Sequence, residues 1–330
     1  MISSNVSSPA VGYLRGTLVC ILLVASALGP TLLSKGVTVL LTEAFCLLVL
    51  AMMWNLLAGF ANIVTVGQHA FVGIGCYAFY WFAVIWGVNP YCALLLAAFV
   101  PLLVALPVFA IVFRLRDAYF AVSTWVVAEV MMLVSGKLAV FGGGSGRSLP
   151  PTLVRFFGAT ADSRAVVFYW LALSLLTIAA ISTYTLLRSR IGLGLRAMRD
   201  DEDGAATSGV NLFATRVICF LWTTPFLGAA GALITLQKLR ISPTASFSMV
   251  DWTVYITFIV VIGGLGSLEG PIIGTVLFLV LREYLSDFGT WHLIVLGLIS
   301  IVTILIEPRG IWGLITRRSR FELVPLSHRP

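Results

Sequence analysis

Residues 90–113 read PYCALLLAAFVPLLVALPVFAIVF, a run of 24 residues without a charged side chain. A helix needs about 20 apolar residues to cross a bilayer, so this run is long enough to span a membrane. Nine further apolar runs occur along the chain, and the last three of them are short or interrupted. They are 14–34, 36–58, 62–87, 118–141, 166–187, 213–236, 251–268, 270–287 and 291–307.

The composition agrees with a chain that lies mostly in lipid. Of its 330 residues, 59% are hydrophobic and only 11% are charged, whereas about a quarter of the residues of a soluble domain are charged. We therefore expect an all-α polytopic membrane protein with eight to ten transmembrane helices in a single domain, residues 1–330. Some of these helices are expected to be broken or re-entrant, which is tolerated where the backbone lines a cavity or packs on protein.

The positions of the basic residues predict the orientation. The net charge of +7 does not indicate nucleic acid, because the basic residues lie at the ends of apolar runs, where the positive-inside rule places them. If ten spans alternate from a cytoplasmic N-terminus, 13 basic residues lie inside and seven outside, with Arg282 within a segment. This bias predicts that both termini are cytoplasmic, that 142–165 is an outer loop, and that 188–212 and the tail 316–330 are cytoplasmic.

The cytoplasmic loop reads RSRIGLGLRAMRDDEDGAATSGVNL. It has an apolar stripe, two arginines one helical turn apart, an acidic cluster and then several small residues. Acidic residues are favoured at a helix N-terminus by the helix dipole, and small residues let another surface approach closely. We interpret the loop as a short helix presented to a partner protein, the alternative being a solvated loop without a partner. The stripe is Ile191, Leu193, Leu195 and Met198, and the acidic cluster is Asp200, Asp201, Glu202 and Asp203.

Five stretches in order resemble one protein family. RAMRDDEDGAATSGVN (196–211) resembles the cytoplasmic loop of ABC-importer permeases and, more narrowly, of the branched-chain amino acid permease family in its LivM-like branch. The family's Gly-rich early helix, Arg-Leu-Arg pattern, glycine signature and C-terminal Pro-Arg-Gly pattern have counterparts from about residue 40 to 315. These are LAGFANIVTVGQHAFVGIGCYA (57–78), RLRDAYFAVSTWVVAEV (114–130), VVIGGLGSLEGPIIGTVL (260–277) and EPRGIWGL (307–314).

The resemblance implies a membrane subunit of an ATP-driven importer in the bacterial inner membrane. Such a permease pairs with a second, related permease, two cytoplasmic ATPase subunits and a periplasmic solute-binding protein. The chain has no G-x-x-x-x-G-K-[ST] phosphate-binding run, so ATP and Mg are expected on the ATPase partner, with no cofactor and no metal in this chain. The residues expected to couple to the ATPase are Arg196, Arg199, Asp200, Glu202, Asp203, Ala205 and Gly209.

Polar groups inside the spans are candidates for the translocation pathway. A charged residue costs about 2.5–3.5 kcal/mol at the centre of a spanning helix, so Glu43 and Glu129 need a reason to be there. Hydrogen bonding between helices is the alternative to a pathway role. Arg282, near the end of its segment, is expected to reach the outer edge of the membrane. The pathway candidates are Gly67, Gln68, His69, Gly73, Glu129, Gly263, Gly264 and Gly266.

The run GGLGSLEG (263–270) has two interpretations. So many glycines destabilise a continuous helix. A break would expose backbone groups able to meet the carboxylate or amine of an amino acid. A tight turn between two segments near the cytoplasm is the other possibility, and the charge distribution favours it.

Two other functions stay open on the sequence alone. Members of the family also carry urea, short amides and carboxylates, so branched-chain amino acids are the expected but not the sole possible solute. An ion-coupled secondary transporter needs carboxylates inside the spans as an ion relay, and Glu43 and Glu129 are its candidates. That function leaves the charged cytoplasmic loop unexplained. An intramembrane enzyme is disfavoured, since we find no Ser-His or H-E-x-x-H arrangement.

Overall fold

The computed structural model describes residues 29–32, 34–115, 117–285, 291–307 and 310–319. Within these ranges, seven helices are long and apolar enough to cross a membrane, and an eighth apolar helix, His69–Ile85, is shorter. The prediction of an all-α polytopic membrane protein is confirmed. The first predicted span, 14–34, lies outside the described residues except for its last part.

Helices make up almost all of the described chain. In chain order they are α1 (Gly29–Leu32), α2 (Lys35–Asn55), α3 (His69–Tyr80), α4 (Pro90–Val112), α5 (Asp117–Lys137), α6 (Pro151–Phe156), α7 (Ala161–Arg188), α8 (Arg190–Asp200), α9 (Glu202–Thr207), α10 (Leu212–Lys238), α11 (Pro243–Ser246), α12 (Tyr255–Gly263), α13 (Gly270–Leu285), α14 (Trp291–Ile306) and α15 (Gly310–Ser319). Two short strands, β1 (Arg147–Ser148) and β2 (Arg240–Ile241), pair antiparallel.

Three helices adjoin π-helical turns, which mark places where the regular backbone is interrupted. The turn Leu56–Phe60 follows α2, Trp81–Ile85 follows α3, and Val250–Val254 precedes α12. Residues 61–68 then form no regular helix, so the predicted span 62–87 is a short helix preceded by an irregular segment. Asn62 has a left-handed backbone with φ of 54°, which a continuing helix does not allow.

The centre of the molecule is a close contact between α3 and α10. A Cβ at Gly231 would lie 2.1 Å from the Val72 carbonyl oxygen, and one at Gly75 would lie 2.2 Å from the Gly228 carbonyl oxygen. The Cys76 thiol donates to the Gly231 carbonyl oxygen at 3.2 Å. Small residues that let helix backbones touch are the usual means of association inside membranes.

Helices α12 and α13 form an antiparallel hairpin. A Cβ at Gly274 would meet the Ile259 carbonyl oxygen, and one at Gly270 the Gly264 carbonyl oxygen. Residues 264–269 are non-helical and form the connection between the two helices. Of the two interpretations of the glycine run, the structure therefore has the turn.

Two predicted extramembrane segments contain parts of helices, and their place outside the membrane stays a prediction. The outer loop was expected over 142–165, but α7 already begins at Ala161, where Thr160 caps it by accepting from the Ser163 amide. The loop itself is ordered by the pairing of β1 with β2. The tail was expected from residue 316, yet α15 extends to Ser319, and 320–330 lie outside the described residues.

Candidate functional site

Helices α8 and α9 form the segment that the sequence assigned to coupling. Ser189 caps α8 by accepting from the Gly192 amide, and Asp201 caps α9 by accepting from the Asp203 amide. Leu195 and Met198 of the predicted stripe are buried, whereas Leu193 is 46% exposed. The prediction of one apolar stripe is wrong at Leu193. Leu193 is two residues from Leu195, and residues two apart point to different faces of a helix.

Two charged side chains of this segment anchor it to the rest of the protein. Arg196 donates to the Leu187 carbonyl oxygen at 2.7 Å, and burial lowers the pKa of its guanidinium. The Glu202 carboxylate accepts from Arg216 of α10 at 2.7 Å. These bonds hold α8 and α9 in a fixed place at the end of the helix bundle.

The other coupling residues divide between the interior and the surface. Ala205 is buried, whereas Asp200, Asp203 and Gly209 are exposed. Residues 206–208 are also exposed, so the outward surface of α9 consists of small side chains beside two carboxylates.

Arg199 connects the coupling segment to the hairpin turn. Its Nη1 donates to the Gly266 carbonyl oxygen at 3.2 Å. The buried Asn55 side chain accepts from the Gly266 amide at 2.8 Å and donates to the Ser267 carbonyl oxygen at 2.7 Å. We call Asn55, Gly59, Arg199, Gly266 and Ser267 the glycine joint.

Glycine is required in this joint by close packing and by backbone conformation. A Cβ at Gly59 would lie 2.4 Å from the Gly266 nitrogen, and Gly266 itself has φ of +74°. Gly264 has φ of +136°. A Cβ at Gly263 would meet the Gly270 carbonyl oxygen. Gly266 thus packs the turn against Gly59 and the coupling segment, whereas Gly263 packs within the hairpin. The place of the three glycines in the pathway stays a prediction.

A second group of polar side chains is buried around the irregular segment before α3. We call Thr65, Gln68, His69 and Thr253 the polar cluster; each is at most 4% exposed. The His69 Nδ1 lies 3.1 Å from the Val66 carbonyl oxygen and 3.0 Å from Thr253 Oγ1. A carbonyl oxygen only accepts, so Nδ1 carries the proton and Nε2 is left as an acceptor.

Several polar atoms of this cluster have no hydrogen-bond partner among the described residues. They are Thr65 Oγ1, His69 Nε2 and both amide atoms of Gln68. Nearly all buried polar groups in proteins are paired. Four unpaired atoms at one place, next to irregular backbone inside the spans, therefore fit a site that acquires partners during function.

Three further pathway candidates lie in the same segment, on α3 and on α5. The Val66 and Gly67 amides both donate to Thr124 Oγ1 of α5 at 3.3 Å. A Cβ at Gly67 would meet the Thr124 carbonyl oxygen, and one at Gly73 the Phe247 ring. Glu129 lies just over one turn beyond Thr124, half-buried, and accepts from Trp125 Nε1 at 3.1 Å.

Glu43 has a partner that the sequence did not indicate. Arg282 of α13 donates through both terminal nitrogens to the two carboxylate oxygens of Glu43, at 2.8 and 2.9 Å. The structure adds this ion pair, and the position of Arg282 at the outer edge of the membrane stays a prediction. The pair joins α2 to α13, so Glu43 serves contact between helices, the alternative that the sequence had left open.

A cleft of about 920 Å³ opens beside α9. Its walls come from the irregular segment after α2, from the corner between α4 and α5, and from the start of α10. It contains two arginines, two carboxylates and several aromatic rings. Among its lining residues are Arg114, Arg216, Glu202, Asp203, Phe113 and Phe213.

Sequence reasoning missed Asn55 and this cleft. Asn55 is a lone amide near the end of an apolar run, which is a weak signal without knowledge of its partners, 211 and 212 residues further along the chain. The cleft brings together residues near 63, 114, 203 and 216, which no local pattern connects.

The similarity to known proteins extends over most of the chain. The profile of the family described as the permease component of branched-chain amino acid transport systems matches residues 36–305. The high-affinity branched-chain amino acid transport permease proteins LivM of Salmonella typhimurium and Escherichia coli are each 27% identical over 88% of this chain and 73% of their own length. A probable LivM permease of Methanocaldococcus jannaschii is 26% identical over 53% of this chain and 50% of its own. No solved structure matches.

Proposed function

The chain belongs to the family of branched-chain amino acid transport permeases, and we propose that it forms part of the pathway by which an ABC importer takes up branched-chain amino acids. Its relatives are permease subunits of transport systems, and the chain is such a membrane permease subunit. In the proposed complex it pairs with a second permease in a bacterial inner membrane. A periplasmic binding protein delivers the solute, and ATP and Mg are bound by two ATPase subunits.

The observation that carries the proposal is the construction of α8 and α9. Both helices are capped, and both are anchored inward through Arg196, Arg199 and Glu202. The outer surface of α9 is left exposed, with the small side chains of residues 206–208 available for contact. A fixed helix with a small, accessible face is suited to dock into a groove of another protein.

The glycine joint gives this docking a physical effect on the spans. Arg199 contacts the turn of the α12–α13 hairpin, and Asn55 fixes the same turn to the end of α2. A movement imposed on α8 by an ATPase therefore acts on α2 and on the α12–α13 hairpin through direct hydrogen bonds. The polar cluster beside α2 and α12 is where we propose that the solute passes.

The test is ATP-driven uptake by the complete complex reconstituted in proteoliposomes. Ala206→Trp places a bulky ring on the exposed face of α9 and should abolish both ATPase binding and leucine uptake. Ala159→Trp is the matched control, because Ala159 is exposed in the loop on the opposite face and the change should leave ATPase binding intact.

One measurement could contradict the importer function, and a second tests which solute is transported. Uptake by this chain alone, driven by an ion gradient and indifferent to Ala206→Trp, would support the secondary transporter instead. Competition of labelled leucine by valine and isoleucine, but not by urea, acetamide or benzoate, would identify the solute class. Competition by one of the latter three would reassign the solute.

A further inference from the structure

The cleft beside α9 and the polar cluster share the irregular segment before α3. The segment 62–64 lines the cleft, and Thr65 of the cluster is the next residue in the chain. Val64 is 54% exposed while Thr65 is 1% exposed. The irregular segment thus borders the open cleft at one residue and the closed cluster at the next.

The charges of the cleft are balanced and placed among apolar walls. Arg114 and Asp203 are both exposed within it. Arg216 and Glu202 form an ion pair at 2.7 Å, so their charges are largely satisfied by each other. Phe113 and Phe213 supply aromatic surface between the charged groups. A single cleft therefore offers a cation, an anion and an apolar wall.

This combination matches one class of small molecule. A guanidinium binds a carboxylate, a carboxylate binds an ammonium group, and aromatic surface accepts an aliphatic side chain. An anionic lipid would use the arginine but would be repelled by the carboxylates. A zwitterionic amino acid with an apolar side chain uses all three features.

We propose that this cleft is the cytoplasmic exit of the pathway and transiently holds a zwitterionic, apolar α-amino acid, with its carboxylate toward Arg114 and its ammonium group toward Asp203. The inference rests on the proposed function. It specifies the last site that binds the solute before release and the groups that bind it. The cleft is wide and open to water, so binding is weak. Weak binding is what an exit requires, because a solute held tightly would not be released.

Binding in the cleft can be measured by a local fluorescent probe. Cys46, Cys76 and Cys219 are buried. Cys92 is exposed, in contrast to the other three, and Cys20 lies outside the described residues. With Cys20 and Cys92 replaced by serine, a single Val64→Cys label reports on the cleft of the full chain in nanodiscs.

Leucine and two analogues test the assigned contacts. Leucine at millimolar concentration should change the probe signal, whereas leucinamide, which lacks the carboxylate, and 4-methylpentanoate, which lacks the amine, should each bind more weakly. Arg114→Gln should weaken leucine binding about tenfold, which corresponds to the loss of one charged hydrogen bond, and should leave leucinamide unaffected. Asp203→Asn should weaken leucine and leave 4-methylpentanoate unaffected.

Two control variants separate a local effect from a general charge effect. Arg155→Gln removes an exposed arginine in the opposite loop, and Asp162→Asn removes an exposed carboxylate in the first turn of α7; neither residue lines the cleft. Both should leave leucine binding unchanged.

The exit site and the transport function can fail separately. The exit site is refuted, and the importer function stands, if the complex imports leucine with ATP but leucine does not change the probe signal. The same conclusion follows if Arg114→Gln leaves leucine binding intact. If the probe responds only when the nanodiscs contain anionic phosphatidylglycerol, the cleft is a lipid site and the inference is wrong. If ATP drives no leucine uptake by the wild-type complex, the proposed function fails whatever the probe reports.

Discussion

Replacing Gly59 with alanine separates the hairpin turn from the end of α2. The new Cβ would lie 2.4 Å from the Gly266 nitrogen and 2.5 Å from Asn55 Oδ1. Ordinary contact begins near 3.4 Å, so the turn must retreat by about 1 Å. That displacement breaks the 2.8 Å hydrogen bond between the Gly266 amide and Asn55.

The expected change in the free energy of unfolding is the sum of opposing contributions. Overpacking of this kind costs about 1–3 kcal/mol, and the lost hydrogen bond costs about 1 kcal/mol. Alanine is favoured over glycine within a helix by about 1 kcal/mol, which offsets part of the loss. We expect the free energy of unfolding to fall by about 2 kcal/mol.

The assay is thermal unfolding in detergent, paired with transport by the reconstituted complex. Gly36→Ala is the matched control, because Gly36 lies in the first turn of α2 with no atom near its added Cβ. Gly59→Ala should lower the midpoint by several degrees and should reduce leucine uptake more than ATP hydrolysis, since the link from Arg199 to the spans is disturbed. Equal midpoints and equal uptake for the two variants would refute the role of the joint.

Three further predictions concern the spans. Arg282→Gln replaces the two charged donors to the Glu43 carboxylate by a shorter neutral amide. Because the pair is partly exposed, this should lower the free energy of unfolding by about 2–3 kcal/mol, less than for a fully buried pair. Combining Glu43→Arg with Arg282→Glu should restore part of that loss in the same unfolding assay, and no restoration would argue against the pair. Gly231→Leu should prevent folding, because the new side chain meets the Val72 backbone. Gly297→Leu is the control, because its side chain faces open space, and this variant should purify normally. Similar yields of the two variants would contradict the close α3–α10 contact. Glu129→Leu should reduce leucine uptake with thermal stability unchanged, and unaltered uptake would exclude Glu129 from the pathway.

The spans were predictable because length and apolarity are properties of a single segment. The run 90–113 needs no partner to be recognised, and the structure has α4 over Pro90–Val112. The irregular segment 61–68 was less visible, since it carries no charged side chain and its apolar residues continue into those of α3. Its conformation depends on contacts with Thr124 and Thr253, which are distant in sequence.

Contacts between residues distant in sequence also limited the prediction of the candidate sites. The sequence could single out the segment proposed for coupling because charged residues are rare in this chain and stand out between spans. The roles of the glycines were not separable, because a glycine needed for packing and a glycine needed for a pathway look alike in sequence. Gly266 shows why, since its neighbours are Gly59 and Arg199, residues 207 and 67 positions away.

Helix α10 joins the two faces of the protein without interruption by a loop. It begins at Leu212, separated from the end of α9 by residues 208–211, and ends at Lys238, next to the strand pair on the opposite face. At 1.5 Å per residue its 27 residues measure about 40 Å. A rigid helix that is displaced along its axis at the first turn therefore displaces β2 by the same distance. Bending at Pro225, inside the helix, would absorb part of that displacement.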